Sequence, residues 1–300
     1  MRVNPLYITS LVGSLDVSSA SEQQLSEELA SGSRVNSLGD DPVAVGENVL
    51  LSSQIAGDVM FSRTAASAQS LLQVSDSALS TVVSQVTTAI SLATQANNGT
   101  LNAGDLTAIG NQLAGIRDEV LSLANTSYMG QYIFAGSQGS TVPFALDATA
   151  PTGVRYQGDD TTNSASYLMT PNGQRIQLNL PGDQVFTASG ADVLGTLNQL
   201  VADFSSGTSA SSAQADTEAL STALSHVSQQ RVLLDNSLTR LTAAESYTQS
   251  ESAQLTANQT TLLQADVGQI ATQLSTAETQ QAALSQVIAT LGKQSLFNDL

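Results

Sequence analysis

The chain has 300 residues, 26 of them acidic and 9 basic, giving a formal net charge of −17, and it contains no cysteine. Such a length can bury a real core and suggests two domains, or one domain carrying an insertion. The charge argues against nucleic acid and anionic membrane as partners, because phosphate binding needs a basic face. The missing cysteine excludes disulfides, thiolate nucleophiles and cysteine metal sites. Aromatic residues make up 4% and tryptophan is absent, which disfavours an enzyme pocket rich in stacking groups.

The first residues do not read as a secretory signal. Asn4 and Pro5 interrupt them, and no unbroken apolar core follows. No run approaches the ~18 apolar residues that span a bilayer. The first helical run places Leu11, Leu15, Leu25 and Leu29 on a stripe interrupted by Ser18 and Glu22.

The stretch LASGSRVNSLGDDPVAV, Leu29 to Val45, follows. Gly32 sits where a helix ending near Ala30 needs a left-handed residue. Asp41 is a good N-cap, and Pro42 suits a first helical turn that needs no amide donor. With Arg34 between them, these residues read as a joint between two helices. A phosphate loop is excluded, since there is neither G-x-G-x-x-G nor a lysine followed by Ser or Thr. A metal site would have two adjacent carboxylates, Asp40 and Asp41, and no nearby third ligand.

Helical stripes come next. Leu72, Leu79, Val82, Val86, Ala89 and Ala93 form one, and Leu106, Ile109, Leu113, Ile116, Val120 and Leu123, spaced 3, 4, 3, 4, 3, form another. Asn97 to Asp105 supplies turn residues for an antiparallel connection. Four of the six prolines then fall between residues 136 and 190, and eight of the twelve aromatics between Tyr128 and Phe204. The segment YMGQYIFAGS, Tyr128 to Ser137, reads as a helix end packing on an insert rather than as an aromatic ligand box. GVRYQGDD, ASYLMT, QRIQLNL and DQVFTAS are expected to be short strands. Asp159-Asp160 is expected to be a turn rather than a calcium site. A polar link, Ser205 to Asp216, leads back to helix.

Leu220, Leu224, Val227, Leu234, Leu238 and Leu241 continue the helical pattern. His226, the single histidine, lies on this helix with no orienting acid to suggest catalysis. Finally Leu263, Val267, Ile270, Leu274, Ala277, Gln281, Leu284, Ile288 and Leu291 alternate spacings of 4 and 3 over four heptads, the mark of a coiled-coil seam. Leu296-Phe297 adds an apolar tip. These seam residues are expected to be largely exposed in a free monomer and buried between subunits in an assembly.

The expected fold is mainly α with a β-rich insertion. N- and C-terminal helical arms pair in a coiled-coil-like bundle with a small β domain in the middle. The divisions are 1–40 and 256–300 for an inner tube part, 41–135 and 204–255 for a helical rod, and 136–203 for the β-rich outer domain. No catalytic, cofactor or metal site is expected, and no enzyme.

Particular motifs carry a resemblance. ELASGSRVNSLGDDPVAVGENVLLSS, NTSYMGQYIFAGSQGSTVPF, VRYQGDD and the terminal SLFNDL resemble segments of the flagellin superfamily, in particular its hook–filament junction branch. The resemblance runs in order along the chain and is best at residues 28–56, 125–160 and 263–300. A filament-forming flagellin usually has a more Asn-rich start and lacks the pair Leu296-Phe297. The resemblance implies a structural adaptor that joins the hook side of the flagellum to its filament, with a divergent flagellin as the alternative. It implies as partners hook-associated protein 1, flagellin, further copies of the chain in a ring, and a cytoplasmic export chaperone covering part of residues 256–300. It also implies an extracellular place in the flagellum, reached by type III export without signal-peptide cleavage.

Overall fold

A computed structural model describes residues 5–159, 164–209 and 211–296. The elements are α1 (Pro5–Ser31), α2 (Pro42–Ala96), α3 (Ala103–Ala124), β1 (Ser127–Tyr128), β2 (Gln131–Tyr132), β3 (Phe144–Leu146), β4 (Val154–Tyr156), β5 (Tyr167–Met169) and β6 (Arg175–Gln177), then α4 (Gly182–Phe186), β7 (Thr187–Ala188), β8 (Ala191–Asp192), α5 (Val193–Ser205), α6 (Ala213–Leu263) and α7 (Val267–Leu296). Two compact units form, one from residues 1–57 with 251–300, the other from 58–250. The fold is mainly α with short strands in the middle, as expected. The stretch 136–203 belongs to the same compact unit as α3 and most of α2 and α6.

In the 58–250 unit the predicted helical stripes are the core. Leu72, Leu79, Val82, Val86, Ala89 and Ala93 of α2 are buried, as are Leu220, Val227, Leu234 and Leu241 of α6. A stripe at this spacing leaves water only if another apolar face covers it. The two helices run antiparallel and polar contacts pin their register. Arg231 makes a bidentate pair with Asp76 at 2.9 and 3.1 Å, and Asn97 Nδ2 donates to Thr217 Oγ1 at 3.1 Å. Burial of Leu106, Ile109, Leu113, Ile116 and Val120 aligns α3 with the same core. Its start is capped by Asn102, whose Oδ1 accepts from Asp105 N at 2.9 Å.

The middle stretch departs from the expected strands in two places. DQVFTAS is not a strand: Gly182–Phe186 forms a single helical turn, and only Thr187–Ala188 pairs, with Ala191–Asp192. Val185 and Phe186 are both fully buried, which two adjacent residues of a half-exposed strand cannot be, because successive side chains point to opposite faces. Gly182 holds the approach, since a Cβ there would lie 2.7 Å from the Phe134 carbonyl oxygen and the Phe144 ring. Second, the stretch ends in a 13-residue helix, α5. Asp192 caps it by accepting from Gly195 N at 2.7 Å. Val193, Leu194, Leu197, Leu200 and Phe204 are buried, and the helix lies against α3. The contact is close: a Cβ on Gly110 of α3 would meet the Phe204 backbone carbon at 3.1 Å.

The strands form four separate two-stranded antiparallel pairs, β1-β2, β3-β4, β5-β6 and β7-β8. Isolated two-stranded pairs are marginal in water and need packing beneath them. Phe134, Phe144 and Phe186 supply it, with edge contacts at 5.1 and 5.5 Å, and one apolar cluster joins them to α2, α3, α5 and α6. Asn125, at the end of α3, exchanges two side-chain hydrogen bonds with the Phe144 backbone at 2.8 and 2.9 Å, so the helix end serves as a strand partner for β3.

Because α5 seals α3, Leu197→Ala should lower the stability of the 58–250 unit by about 2–5 kcal/mol. The exposed Leu38→Ala should change stability by less than about 0.5 kcal/mol. Thermal unfolding followed by circular dichroism measures both. Equal shifts would mean that α5 is not part of the core.

Candidate assembly interface

The unit built from the two chain ends contains an antiparallel pair of helices, α1 and α7. On α1, Leu11, Leu15, Ser18, Glu22 and Leu25, at spacings of 4, 3, 4 and 3, are among the less exposed positions, together with Ser19 and Glu28. On α7, Ile270 and Ala277 are buried, while Leu274, Gln281, Leu284, Ile288 and Leu291 are half-buried. Leu25 shares a groove with Ala277, and Glu22 shares one with Gln281. Ser18 and Glu22, which interrupt the leucine run in sequence, therefore lie on the seam itself. The Ser18 hydroxyl has no hydrogen-bond partner there.

Two points of the C-terminal series differ from expectation. First, the seam is not largely exposed in the single chain, because α1 repeats at the same period and covers it. Second, the series is not one helix. Leu263 is the last residue of α6 and Val267 the first of α7, where it is 55% exposed. Asp266 causes the break by capping α7: its Oδ1 accepts from Gly268 N and Gln269 N at 3.0 and 3.1 Å. The Leu296 side chain and Phe297 lie outside the described residues. Cover by α1 is incomplete. No described α1 side chain is fully buried, and Tyr7, Val12, Val17 and Val287 are exposed.

The stretch between α1 and α2 is hydrogen-bonded to the α6–α7 break. Gly32 has φ +67° and its N–H donates to Glu28 O at 2.9 Å, closing α1. Arg34 N donates to Leu263 O at 2.7 Å, and Ala265 N to Gly32 O at 3.0 Å, which makes a one-residue antiparallel bridge between Ser33 and Gln264. The Arg34 guanidinium donates to Asp41 at 3.0 Å and to Leu262 O at 3.2 Å, so one side chain ties both joints. Asp41 caps α2, its Oδ1 accepting from Ala44 N at 3.0 Å, with Pro42 as first helical residue. Asp40 folds the loop, accepting from Asn36 N and Ser37 N at 2.9 and 2.8 Å. The Asn36 amide, then that of Ser37, holds the Asp40 carboxyl below the ordinary aspartate range. The Ala44 amide, then Arg34, does the same for Asp41.

The other candidates resolve into packing. His226 Nε2 contacts Gln184 O at 2.7 Å, which ties α6 to α4. In Tyr128 to Ser137, Ile133, Phe134 and Ala135 are buried in the core. Asp159 accepts from the Ser137 hydroxyl, and Asp160 lies outside the described residues. Among the described residues, no three His, Asp or Glu side chains gather as metal ligands, and no helix is long and apolar enough to cross a membrane.

Asp40 and Asp41 have depressed folded-state pKa values. Their contribution is therefore present above the ordinary value of 3.8 and is lost as pH falls through the lower folded value. Amide exchange of Asn36, Ser37 and Ala44 should stay slow down to pH 3.8 and rise below it. Asp40→Asn should abolish the acid step at Asn36 and Ser37 while leaving that of Ala44 in place. A step at or above pH 3.8 would mean that the carboxylates do not hold the loop.

A family model described as the bacterial flagellin N-terminal helical region matches residues 9–139. Flagellar hook-associated protein 3 of Salmonella typhimurium is 35% identical over 128 residues, 42% of this chain and 40% of that protein. The protein of the same name from Escherichia coli is 31% identical over 186 residues, 54% of this chain and 57% of that protein. The matches thus span about half the length of these relatives. A solved structure of flagellar hook-associated protein 3 from Legionella pneumophila superposes with a TM-score of 0.62 at 16% identity, covering 71% of this chain and 98% of that one, a likeness of fold. In its N-terminal helical region and in these sequence matches, the chain is similar to proteins of the flagellin superfamily.

Proposed function

We propose that the chain is a structural subunit of the bacterial flagellum that joins the hook side to the filament, and that it assembles through its paired terminal helices. The observation that carries this is the incomplete cover of the α1–α7 seam. Leu274, Leu284, Ile288 and Leu291 are half-buried in the single chain, beside exposed Val12, Val17 and Val287. Completing the burial of such a side chain against a neighbouring subunit contributes roughly 1 kcal/mol, about half the value for full burial. Repeated over several residues and many subunits, this is enough to drive assembly. Ser18, Glu22 and Gln281 give the seam polar positions, which set register at some cost in stability.

In this reading the partners are further copies in a ring, hook-associated protein 1 on one side and flagellin on the other. Contacts that repeat head to tail without closing generate such stacked arrays. A cytoplasmic chaperone would cover the exposed side of α7 within residues 256–300 before type III export, which needs no cleaved signal. The names of the relatives favour a junction protein over the alternative of a divergent flagellin. The chain acts as a structural element, not an enzyme.

Labelling of purified flagella tests the reading. A thin band at the hook–filament boundary is expected, and label along the filament would make the chain a flagellin. Leu284→Asp with Ile288→Asp should leave the melting of the 58–250 unit within about 1 °C, because neither residue belongs to it. The double variant should lose amide protection along α1 and α7, fail to join the hook, and release flagellin into the medium. Secretion of the variant is assayed alongside, since the chaperone uses the same surface. A secreted double variant that supports a full filament would refute assembly through this seam.

A further inference from the structure

Four of the nine basic residues of this acidic chain are committed to ion pairs. Arg34, Arg117, Arg155 and Arg231 each pair with an aspartate. Arg175 and Arg240 do not: among the described residues neither forms an ion pair, yet they meet at one cleft of about 220 Å³ between the β5–β6 hairpin and α6. Tyr167, Arg175 and Gln177 line it from the hairpin, and Asn236, Ser237 and Arg240 from the helix. Among the described residues, no acidic side chain lines it.

Both guanidinium groups are held in place by contacts that spare their charge. Arg240 Nη2 donates to the Arg175 carbonyl at 2.9 Å, which fixes its direction with one of five N–H donors. The Arg175 guanidinium lies over the Tyr167 ring at 4.3 Å, a cation–π contact that leaves its in-plane donors free. The hairpin register explains the stacking. Tyr167 opposes Gln177 and Met169 opposes Arg175, so these four share the outward face while Leu168 and Ile176 turn inward. Tyr167 is 48% exposed and Leu233, beside the cleft, 52%. The result is two oriented guanidinium forks, amide groups and an apolar rim, the arrangement that binds a carboxylate by paired hydrogen bonds.

We propose that this cleft is a carboxylate socket that takes an aspartate or glutamate side chain from a second copy of the chain. Charge complementarity points to the source: a copy carries 26 acidic residues against 9 basic ones, and the socket is a local cationic spot on that acidic background. The apolar rim suits the methylenes of an acidic side chain. The source rests on the assembly reading above, whereas the socket does not.

Two measurements test it. In the full-length protein, the arginine Nε–H signals are followed by nuclear magnetic resonance while acetyl-tetraglutamate amide is added, with acetyl-tetraglutamine amide as the neutral control. Saturable shifts at Arg175 and Arg240 are expected, with none from the neutral peptide, and Arg175→Gln with Arg240→Gln should weaken binding at least tenfold. No shift, or equal shifts at the solitary Arg63, would overturn the socket. Free glucuronate is titrated as well, and tighter binding of it than of the peptide would overturn the protein source. In cells, Arg175→Glu with Arg240→Glu should cut incorporation into flagella at least tenfold with secretion and melting unchanged. Undiminished incorporation would overturn the second-copy source. Absence of the wild-type chain from flagella would overturn the assembly reading and with it that source, while the titration still decides the socket.

Discussion

Everything in this molecule depends on apolar stripes that one half of the chain cannot cover for itself. An isolated amphipathic helix gains little in water, and its stability comes from packing its apolar face. Here the cover comes from the opposite end of the chain. Ser33 and Leu263, whose atoms hydrogen-bond at 3.2 Å, are 230 residues apart in sequence. Asn48 and Gln259, in contact at 2.7 Å, and Asp76 with Arg231 repeat the arrangement along α2 and α6. The chain must therefore bring its ends together before its long helices gain stability, a high loop-closure cost repaid by long runs of contact.

The two compact units spend that pairing differently. In the 58–250 unit, α3, α5 and the aromatic cluster around Phe134 and Phe186 close the stripes, and the largest core side chains are fully buried. In the unit of the chain ends, α1 and α7 are joined only by the first turns of α2 and the last turns of α6, and most seam residues stay half-buried. A helix pair without a third layer cannot remove its apolar surface from water. Surface of that kind marks a place for another protein. Under the proposed function, stability and assembly fall to different parts of one chain.

The joint at Gly32–Asp41 lies wholly within the unit of the chain ends. Its bonds are local except for the bridge to Leu263 and Ala265 and the reach of Arg34 to Leu262. Each exposed contact is weak by itself, because solvent screens the Arg34–Asp41 pair. Together they fix where α1 ends and α7 begins, and hence which faces of the pair meet.

Local chemistry was legible in the sequence because it depends on neighbouring residues. Gly32 as a helix stop, Asp41 with Pro42 as a helix start, the turn at Asn97 to Asp105 and the 3–4 stripes of α2, α3 and α6 all follow from spacing and side-chain type. The Asp266 cap could also have been found that way, since an aspartate followed by Val-Gly-Gln opens a helix much as Asp41 does. It was hidden by a heptad pattern that happens to continue across the break. Other features were decided only by the tertiary structure. Whether DQVFTAS is strand or helical turn depended on Phe134 and Phe144 burying both Val185 and Phe186. Whether the C-terminal seam is bare depended on α1, whose Ser18 and Glu22 disguise a matching stripe. The pairing of Arg175 with Arg240 had no sequence signal at all, because a hairpin and a helix 65 residues apart had to fold against each other before their charges could meet. Spacing along a chain fixes which face a residue occupies; only packing decides what that face touches.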